Sequence, residues 1–471
     1  MSKLATNVTP MLARESIYIG IDVGKLRHVA GFVSPTLLKR HGRFEGCPVL
    51  MFEQSREGFR TLIDRMREYT PVEQCFVLLE KTGHYHHALV QYLQEMDISV
   101  YLIHVQERPK GMLKTDKRDA LGLANQLYNQ LELGVQVADK GQLVRRILPP
   151  TEAALLLRGL IRHRYELTHE ATRRKNKLTA ICDELFPEFT QVFKDPNAAG
   201  ALAVRKQLPT PHAVATASLS ALQALRVGTR PSNAKLTLLQ ELSRKSIGTK
   251  DVGRQRGLCL EQGQLIAELH LLQQHLTELD TEITHIVEQS REGKILTSIP
   301  GIGPLQAATL IAAIGHIDNF ASAAALKAYC GWAPTLAQSG KTLDHAKLTS
   351  KGNRTVKQMM FLIVGNAIQM ECEWAKIYER LVPIKCAYDE RTRTYKGKVK
   401  VMGRIAGQIL TMVYALLKQD AELLHTNSGP SLPKPHLYDP AIHHAHRQGG
   451  YRAMKPKSPR PPLVKLPSKT S

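Results

Sequence analysis

The 471-residue sequence predicts an α/β domain, a helical coiled-coil arm and a mainly α C-terminal half. Three observations carry that expectation. Between residues 17 and 103, short β-branched apolar runs alternate with runs patterned for helix. Seven apolar residues, Leu265, Leu269, Leu272, Leu276, Leu279, Ile283 and Ile286, then repeat at alternating intervals of 4 and 3. Beyond residue 293 the apolar spacing is helical, with Gly and Pro at the breaks.

Residues 1–14 read as a loose leader. Ile17-Tyr-Ile-Gly-Ile-Asp22-Val is a buried strand with an acid near its end, and His28 to Val33 suits a partner strand. A third strand is expected around Arg43 to Glu45. Ser55 caps a helix carrying Phe59, Leu62, Ile63 and Met66 on one face. The strand Cys75-Phe-Val-Leu-Leu-Glu80 again ends in an acid, and a helix over Tyr85 to Met96 and a strand from Ile98 to Ile103 follow. Meander strands followed by alternating β and α is the order of a ribonuclease-H-like sheet.

Lys114-Thr-Asp-Lys-Arg-Asp-Ala120 opens the next helix, with Asp116 and Asp119 three residues apart on one face. Alone, such a pair marks a solvated helix face far more often than a site. Here two upstream strands end in Asp22 and Glu80, and strands of an α/β sheet deliver their end residues to a shared crevice. Four carboxylates converging there suit a pair of hard divalent cations, Mg²⁺ or Mn²⁺. His84, Tyr85 and His86 beside Glu80 either touch a ligand or fill the rim.

Arg145 to Lys177 holds nine Lys or Arg and three acids, a basic helical arm without a clean heptad. Residues 187–257 read as an insertion of short helices and turns. The Leu265 to Ile286 repeat then makes a coiled-coil seam about 33 Å long. Its partner is either the earlier arm or a second copy of the chain.

Residues 295–315 give helix, Pro300-Gly-Ile-Gly303 turn, helix, as in a helix-hairpin-helix unit, where Gly301 and Gly303 would let backbone N–H groups approach a phosphate. A plain helical corner is the alternative. Lys341, and Lys351, Asn353 and Arg354 before the helix starting at Val356, are further candidates for phosphate contact or simple capping. A Lys and Arg cluster from Arg391 to Arg404 precedes a last core-like helix, Ile405 to Leu417. The expected domains are 15–135, 140–292 with the insertion 187–257, 293–425, and a tail from 426 to 471. From Ser431 that tail has eight prolines in 41 residues and eight Lys or Arg against one acid, which predicts disorder.

The formal net charge is +22, from 64 Lys and Arg against 42 Asp and Glu, and it favours a polyanionic partner, nucleic acid first. No apolar run approaches the roughly 20 residues of a membrane span, and the N-terminus lacks a signal-peptide pattern. Seven scattered cysteines without a Cys-x-x-Cys pair support neither a zinc site nor a disulfide framework, so a reducing cytoplasm is expected.

Six motifs together carry a family resemblance: Gly20-Ile-Asp-Val-Gly-Lys25, Glu80-Lys-Thr-Gly-His-Tyr85, Lys114-Thr-Asp-Lys-Arg-Asp-Ala120, Ile299-Pro-Gly-Ile-Gly303, Gln338-Ser-Gly340 and Ser350-Lys-Gly-Asn353. In order and approximate spacing, the sequence resembles the insertion-sequence-110 transposases, DEDD-type recombinases guided by a bridge RNA and related to site-specific DNA invertases. The resemblance spans roughly residues 15–130 and 290–415. It implies a RuvC-like N-terminal domain whose four acids, matching Asp22, Glu80, Asp116 and Asp119, bind Mg²⁺. It also implies a C-terminal transposase domain whose nucleophile falls at Ser339. Donor and target DNA, a structured noncoding guide RNA and a homo-oligomer, dimer or tetramer, are the implied partners, in a bacterial or archaeal cytoplasm.

Two readings of other classes stand beside it. One is a RuvC-like metal-dependent nuclease or junction resolvase that hydrolyses with water and leaves Ser339 idle. The other is a nucleic-acid-binding protein without catalysis.

Overall fold

The computed structural model describes residues 15–80, 83–103, 115–134, 145–225, 231–339, 343–348, 352–427, 429 and 431–444, with the backbone alone at 145, 334–339 and 343–348. The chain divides into two compact units, 1–151 with 314–325, and 152–313 with 326–471.

The first unit is built on a six-stranded sheet of order β3-β2-β1-β4-β5-β6. β1 (Ile17–Val23), β2 (Arg27–Val33) and β3 (Val49–Glu53) form an antiparallel meander, and β4 (Cys75–Glu80) and β5 (Ser99–Ile103) extend it in parallel with β1. The two-residue β6 (Arg145–Arg146) closes the edge antiparallel to β5. Alternation along the strands separates two faces. Ile17, Ile19 and Ile21 join Val77 and Leu79 in the larger core, with Phe59, Leu62 and Met66 of α2 (Arg56–Arg67) and Leu89 and Leu93 of α3 (His86–Glu95). Tyr18, Leu78, Tyr101 and Ile103 face the other way and meet Leu127 of α4 (Asp116–Leu131).

Two expectations in this unit need correction. The third strand is Val49–Glu53, and Phe44–Gly46 is a single 3₁₀ turn. Before it lies a helix that the sequence reading missed, α1 (Pro35–His41). Ser34 accepts from the Leu37 N–H, Pro35 occupies the first turn, and Gly42 ends the helix at φ 69°. The first boundary also falls later than expected, and residues 314–325 return to this unit: Leu148 N–H donates to Asn319 Oδ1 (2.8 Å) and Thr151 N–H to the Gly315 carbonyl (3.0 Å).

In the second unit α5 (Glu152–Leu185) pairs with a helix more than 200 Å of chain away, the 38-residue Val252–Gln289, across a buried seam. Between them run α6 to α10 (Phe189–Val192, Ala199–Gln207, Pro211–Thr216, Leu219–Ala224, Asn233–Arg244), which makes Val252–Gln289 helix α11. Leu167, Ala171, Leu178 and Ile181 meet Leu258, Leu265, Leu269 and Leu272, and Leu276 and Leu279 extend the row. The ion pairs Arg164–Asp280, Arg174–Glu268, Lys177–Glu261 and Arg254–Glu184 run in opposite directions along the two helices, so the pairing is antiparallel. Such solvent-exposed pairs chiefly set register, whereas a fully buried leucine contributes about 1.5–3 kcal/mol. The heptad repeat therefore finds its partner in the chain's own basic arm, and it supplies no argument for a second subunit. Helices α6 to α10 have their own core, including Phe186, Phe189, Val204 and Leu239. The buried Arg205 ties them to the arm by donating to Gln262 Oε1 and the Pro196 carbonyl, each at 3.0 Å.

Continuing the second unit, α12 (Arg291–Thr297), α13 (Pro304–Ile314) and α14 (Ala323–Tyr329) lead to the hairpin β7 (Pro334–Ser339) and β8 (Leu343–Leu348). Then come α15 (Arg354–Ala367), α16 (Glu373–Lys385), a hairpin of β9 (Ala387–Asp389) and β10 (Thr394–Lys396), α17 (Val399–Thr426) and α18 (Pro440–His443). By length and composition α17 could cross a membrane. Its apolar side chains, from Val401 to Leu417, instead pack on α12, α15 and α16, and its Asp420, 6% exposed, holds Arg291 through two hydrogen bonds of 2.7 and 2.6 Å.

The tail expected to be disordered is placed as far as residue 444. Arg291 Nη1 also donates to the Pro433 carbonyl, Tyr438 N–H donates to Ser298 Oγ (2.9 Å), and the His444 ring sits edge-on to Trp374 with centroids 4.7 Å apart. Aromatic and carbonyl contacts hold a segment that composition alone assigns to solvent. Residues 1–14 and 445–471 lie outside the described residues.

The seven cysteines are free thiols. Burial pushes the Cys47 and Cys182 thiols up to about 11 and those of Cys75 and Cys330 up to about 12, which makes them poor nucleophiles at neutral pH.

Candidate active site

Two glycines govern the site. Gly20 of β1 and Gly31 of β2 are direct cross-strand partners on the face that meets α4. A Cβ built on Gly20 would lie 2.1 Å from the Ala120 carbonyl oxygen and 2.3 Å from the Ala124 nitrogen. One on Gly31 would lie 2.8 Å from the Leu121 nitrogen. The helix backbone thus rests directly on the strand backbone, where no side chain fits.

The direction of α4 over β1 is fixed by its contacts. Tyr18 stacks edge-on with Tyr128 at 5.5 Å and its hydroxyl donates to Glu132 Oε2, whereas Gly20 meets Ala120 to Ala124. Burial and the Glu132 carboxylate push the Tyr18 phenol well up, so it remains a donor. Going forward along β1 therefore goes backward along α4. The next residue of β1 on this face, Asp22, comes to the first turn of the helix, which carries Asp116 and Asp119.

Glu80 reaches the same edge by register. Ile21 pairs with Leu79 in the parallel ladder, so one step further Asp22 and Glu80 are neighbours, and Glu80 itself pairs with Ile103 of the α4-facing core. Thr115 accepts from the Arg118 N–H at 3.3 Å to start α4 beside these strand ends, and carboxylates in a first helical turn meet the positive end of the helix dipole. Asp119 is 7% exposed, Asp22 and Glu80 are half-buried, and Asp116 is exposed.

Asp22 and Glu80 thus share one face and one end of the sheet, and Asp116 and Asp119 start the helix packed on that face. Among the described residues, no three His, Cys, Asp or Glu side chains stand close enough together to hold an ion as they are placed. The donor chemistry nevertheless fits a hard divalent cation, since it is carboxylate oxygen from a rigid strand pair and a capped helix. Residues 81–82 and 104–114, which flank Glu80 and lead into α4, lie outside the described residues.

A supporting relay escaped the sequence reading. The buried His28 bonds through Nε2 to Gln54 Oε1, and Gln54 Nε2 donates to the Tyr85 carbonyl at 3.2 Å. It thereby ties β2 to the segment that follows Glu80. Burial lowers the His28 pKa, which keeps the ring neutral at pH 7. The readable signal was an isolated His at the start of an apolar strand. His86 is buried, whereas the His84 and Tyr85 rings meet at a tilt on the rim, with centroids 4.3 Å apart.

Ser339 belongs to the second unit, as the last residue of β7 opposite Leu343 of β8. It occupies a hairpin tip. Lys341 and Lys351 lie outside the described residues. Asn353 caps α15, its side chain accepting from the Val356 N–H at 3.2 Å, and Arg354 beside it is exposed. Gly301, at φ 89°, is pressed on α15: a Cβ there would lie 2.7 Å from the Ile363 carbonyl oxygen. Packing alone therefore requires that glycine. A Cβ on Gly303 would meet, among the described residues, the flexible Gln306 side chain at 2.9 Å.

Comparison with known proteins places these features. A family model described as a transposase, of the DEDD and IS110 type, matches residues 19–187, the stretch holding all four acids. A second, the transposase IS116/IS110/IS902 family, matches residues 293–379, the stretch holding Ser339. The 43.6 kDa protein of insertion element IS110 from Streptomyces coelicolor is 24% identical over 85% of this chain and 94% of its own length. The 44.8 kDa protein of insertion element IS116 from Streptomyces clavuligerus is 24% identical over 55% of this chain and 62% of its own. A pilin gene-inverting protein of Moraxella bovis is 28% identical over 31% of this chain and 44% of its own length.

Proposed function

Because this chain belongs to the IS110 family of transposases, enzymes of DNA strand transfer, we propose that it exchanges strands through a phosphoserine intermediate on Ser339, assisted by Asp22, Glu80, Asp116 and Asp119. What supports the reading is that β1 and β4, adjacent and parallel in register, end at Asp22 and Glu80, and that the capped first turn of α4 carries Asp116 and Asp119, in a sheet of ribonuclease-H-like, RuvC-like order. The order β3-β2-β1-β4-β5, antiparallel then parallel, supports that fold name.

In the reaction, the Ser339 hydroxyl oxygen attacks a DNA phosphorus and the bond to the 3′ oxygen breaks. The leaving oxygen takes a proton and becomes a free 3′-hydroxyl. A 3′-hydroxyl from the other duplex then attacks the phosphoserine, releases Ser339 and seals the exchanged strand. Bond energy is conserved and no nucleotide triphosphate is consumed. The four acids would hold Mg²⁺ or Mn²⁺, which when bound neutralises the attacked phosphate and lowers the pKa of the attacking hydroxyl. The chain's own contribution is to fix the carboxylates rigidly, with Asp119 buried and β1 and β4 locked in register.

Target choice by a bridge RNA, and assembly as a homo-oligomer, complete the proposal. The family resemblance and the net charge of +22 support the first, since base pairing can choose the site while basic protein surface holds the backbone. The acids and Ser339 fall in different compact units, which suits a site completed on assembly. The similarity to pilin gene-inverting proteins favours one second reading, a site-specific invertase using the same chemistry.

Denaturing the full-length protein after incubation with Mg²⁺, element-junction DNA and the flanking noncoding RNA tests the reading. A protein-linked DNA is expected, absent from Ser339→Ala. Cutting without an adduct, undiminished in Ser339→Ala, would leave a water-using nuclease instead.

A further inference from the structure

Between α16 and α17, residues 387–398 include no buried side chain. They are nevertheless ordered as the β9–β10 hairpin, which pairs Tyr388 with Tyr395 and Asp389 with Thr394. Ordering a residue costs about 1–2 kcal/mol of backbone entropy, and two strands alone are marginal in water. Nothing in the core of the unit is gained in return. What holds the ribbon is local: the Tyr388 and Tyr395 rings meet edge-on at 5.0 Å, Lys396 Nζ lies 2.6 Å from Asp389 Oδ2, and Asp389 Oδ1 accepts from the Arg391 N–H at 3.0 Å.

The ribbon and the start of α17 that follows it together are basic. From 387 to 404 the charges are Arg391, Arg393, Lys396, Lys398, Lys400 and Arg404, all exposed, against Asp389 and Glu390. At the tip, Arg393 has φ 49°, a left-handed backbone costly for a residue other than glycine. A solvated turn would choose Gly or Asn there. The strained position keeps a guanidinium at the end of the ribbon.

We propose that this hairpin enters the major groove of duplex DNA, with Arg391 and Arg393 toward base edges and phosphates and with Lys398 and Lys400, at the start of α17, along the backbone. The groove of B-form DNA, about 12 Å wide and 8.5 Å deep, admits a two-stranded ribbon, and three residues of strand reach about 10 Å. The deep, narrow major groove of duplex RNA does not admit it. The inference rests on the reading of the chain as a DNA-strand-transfer enzyme and adds the surface that grips the duplex.

The test is fluorescence anisotropy of full-length protein on duplex DNA and on duplex RNA of the same sequence, across a salt series. It compares wild type with Arg391→Gln/Arg393→Asn, where asparagine tolerates the backbone at 393. DNA affinity is expected to fall about tenfold or more, and the slope of log K against log salt to shrink by about 2, while RNA affinity shifts by less than about threefold. Unchanged DNA affinity and slope, or an equal loss on RNA, overturns the proposal. Asp22→Asn, run alongside for binding and strand transfer, separates the two readings. If it retains strand transfer, the catalytic assignment fails and the binding result stands. If it is inactive while the hairpin variant binds DNA like wild type, the hairpin alone fails.

Discussion

Replacing Asp22 by Asn is expected to lower DNA strand transfer by about 10³-fold or more while duplex binding stays within about twofold. Asp22 stands at the strand end beside Glu80, on the face of β1 covered by α4, whose first turn carries Asp116 and Asp119. Asparagine keeps its size and removes its charge. A carboxylate that holds a cation for an attacked phosphate cannot be replaced by a neutral amide, whereas packing on β1 is hardly changed. The assay is strand exchange on junction DNA, with thermal unfolding as the control. A drop of the same size in melting stability would assign Asp22 a structural task instead.

A second large effect is expected at Gly20. Valine there must fit a Cβ and two methyl groups where backbone atoms of α4 already lie 2.1 and 2.3 Å from the Cβ position. Backbone cannot swing aside as a flexible side chain does. The helix must lift, which separates Leu127 from Tyr18 and Leu78 and loosens the bond from Tyr18 to Glu132. Overpacking of this kind costs about 3 kcal/mol or more. Gly20→Val should therefore melt several degrees lower, and its folded fraction should lose strand transfer because Asp116 and Asp119 move with the helix. The same substitution at Gly122, on α4 with nothing within 4 Å of its Cβ position, should cost far less. Equal stabilities for the two variants would show that α4 does not rest on the sheet as described.

The site was legible in the sequence to the extent that it is local. Apolar runs ending in Asp22 and Glu80 announce strands and their ends, and Thr115 with two following acids announces a helix start. What is not local was missed. The meaning of Gly20 and Gly31 depends on their becoming cross-strand partners under α4, which no window of either strand contains. β6 is two residues long and exists only because β5 has a free edge. The heptad repeat showed that a partner helix exists without saying which, because the matching 4 and 3 spacing on α5, through Leu167, Ala171, Leu178, Ile181 and Leu185, is broken by Arg174 and masked by the surrounding charged residues.

Other misses were readable in principle. Ser34, Pro35 and Gly42 are the cap, first-turn proline and terminating glycine of α1, yet the glycines near residue 43 suggested a strand instead. Val49-Leu-Met-Phe-Glu53 is the more apolar run, and it is the strand. The tail was misjudged on composition: prolines argue against helix and sheet, but they do not prevent Pro433 and Tyr438 from docking on Arg291 and Ser298.

If Asp22, Glu80, Asp116 and Asp119 bind divalent ions together, titration of the full-length protein with Mn²⁺, followed by electron paramagnetic resonance, will read that binding. Saturable binding is expected, lost or weakened about tenfold or more in Asp22→Asn and in Asp119→Asn, and unchanged in Ser339→Ala. Equal Mn²⁺ binding by wild type and by both acid variants would contradict that joint binding.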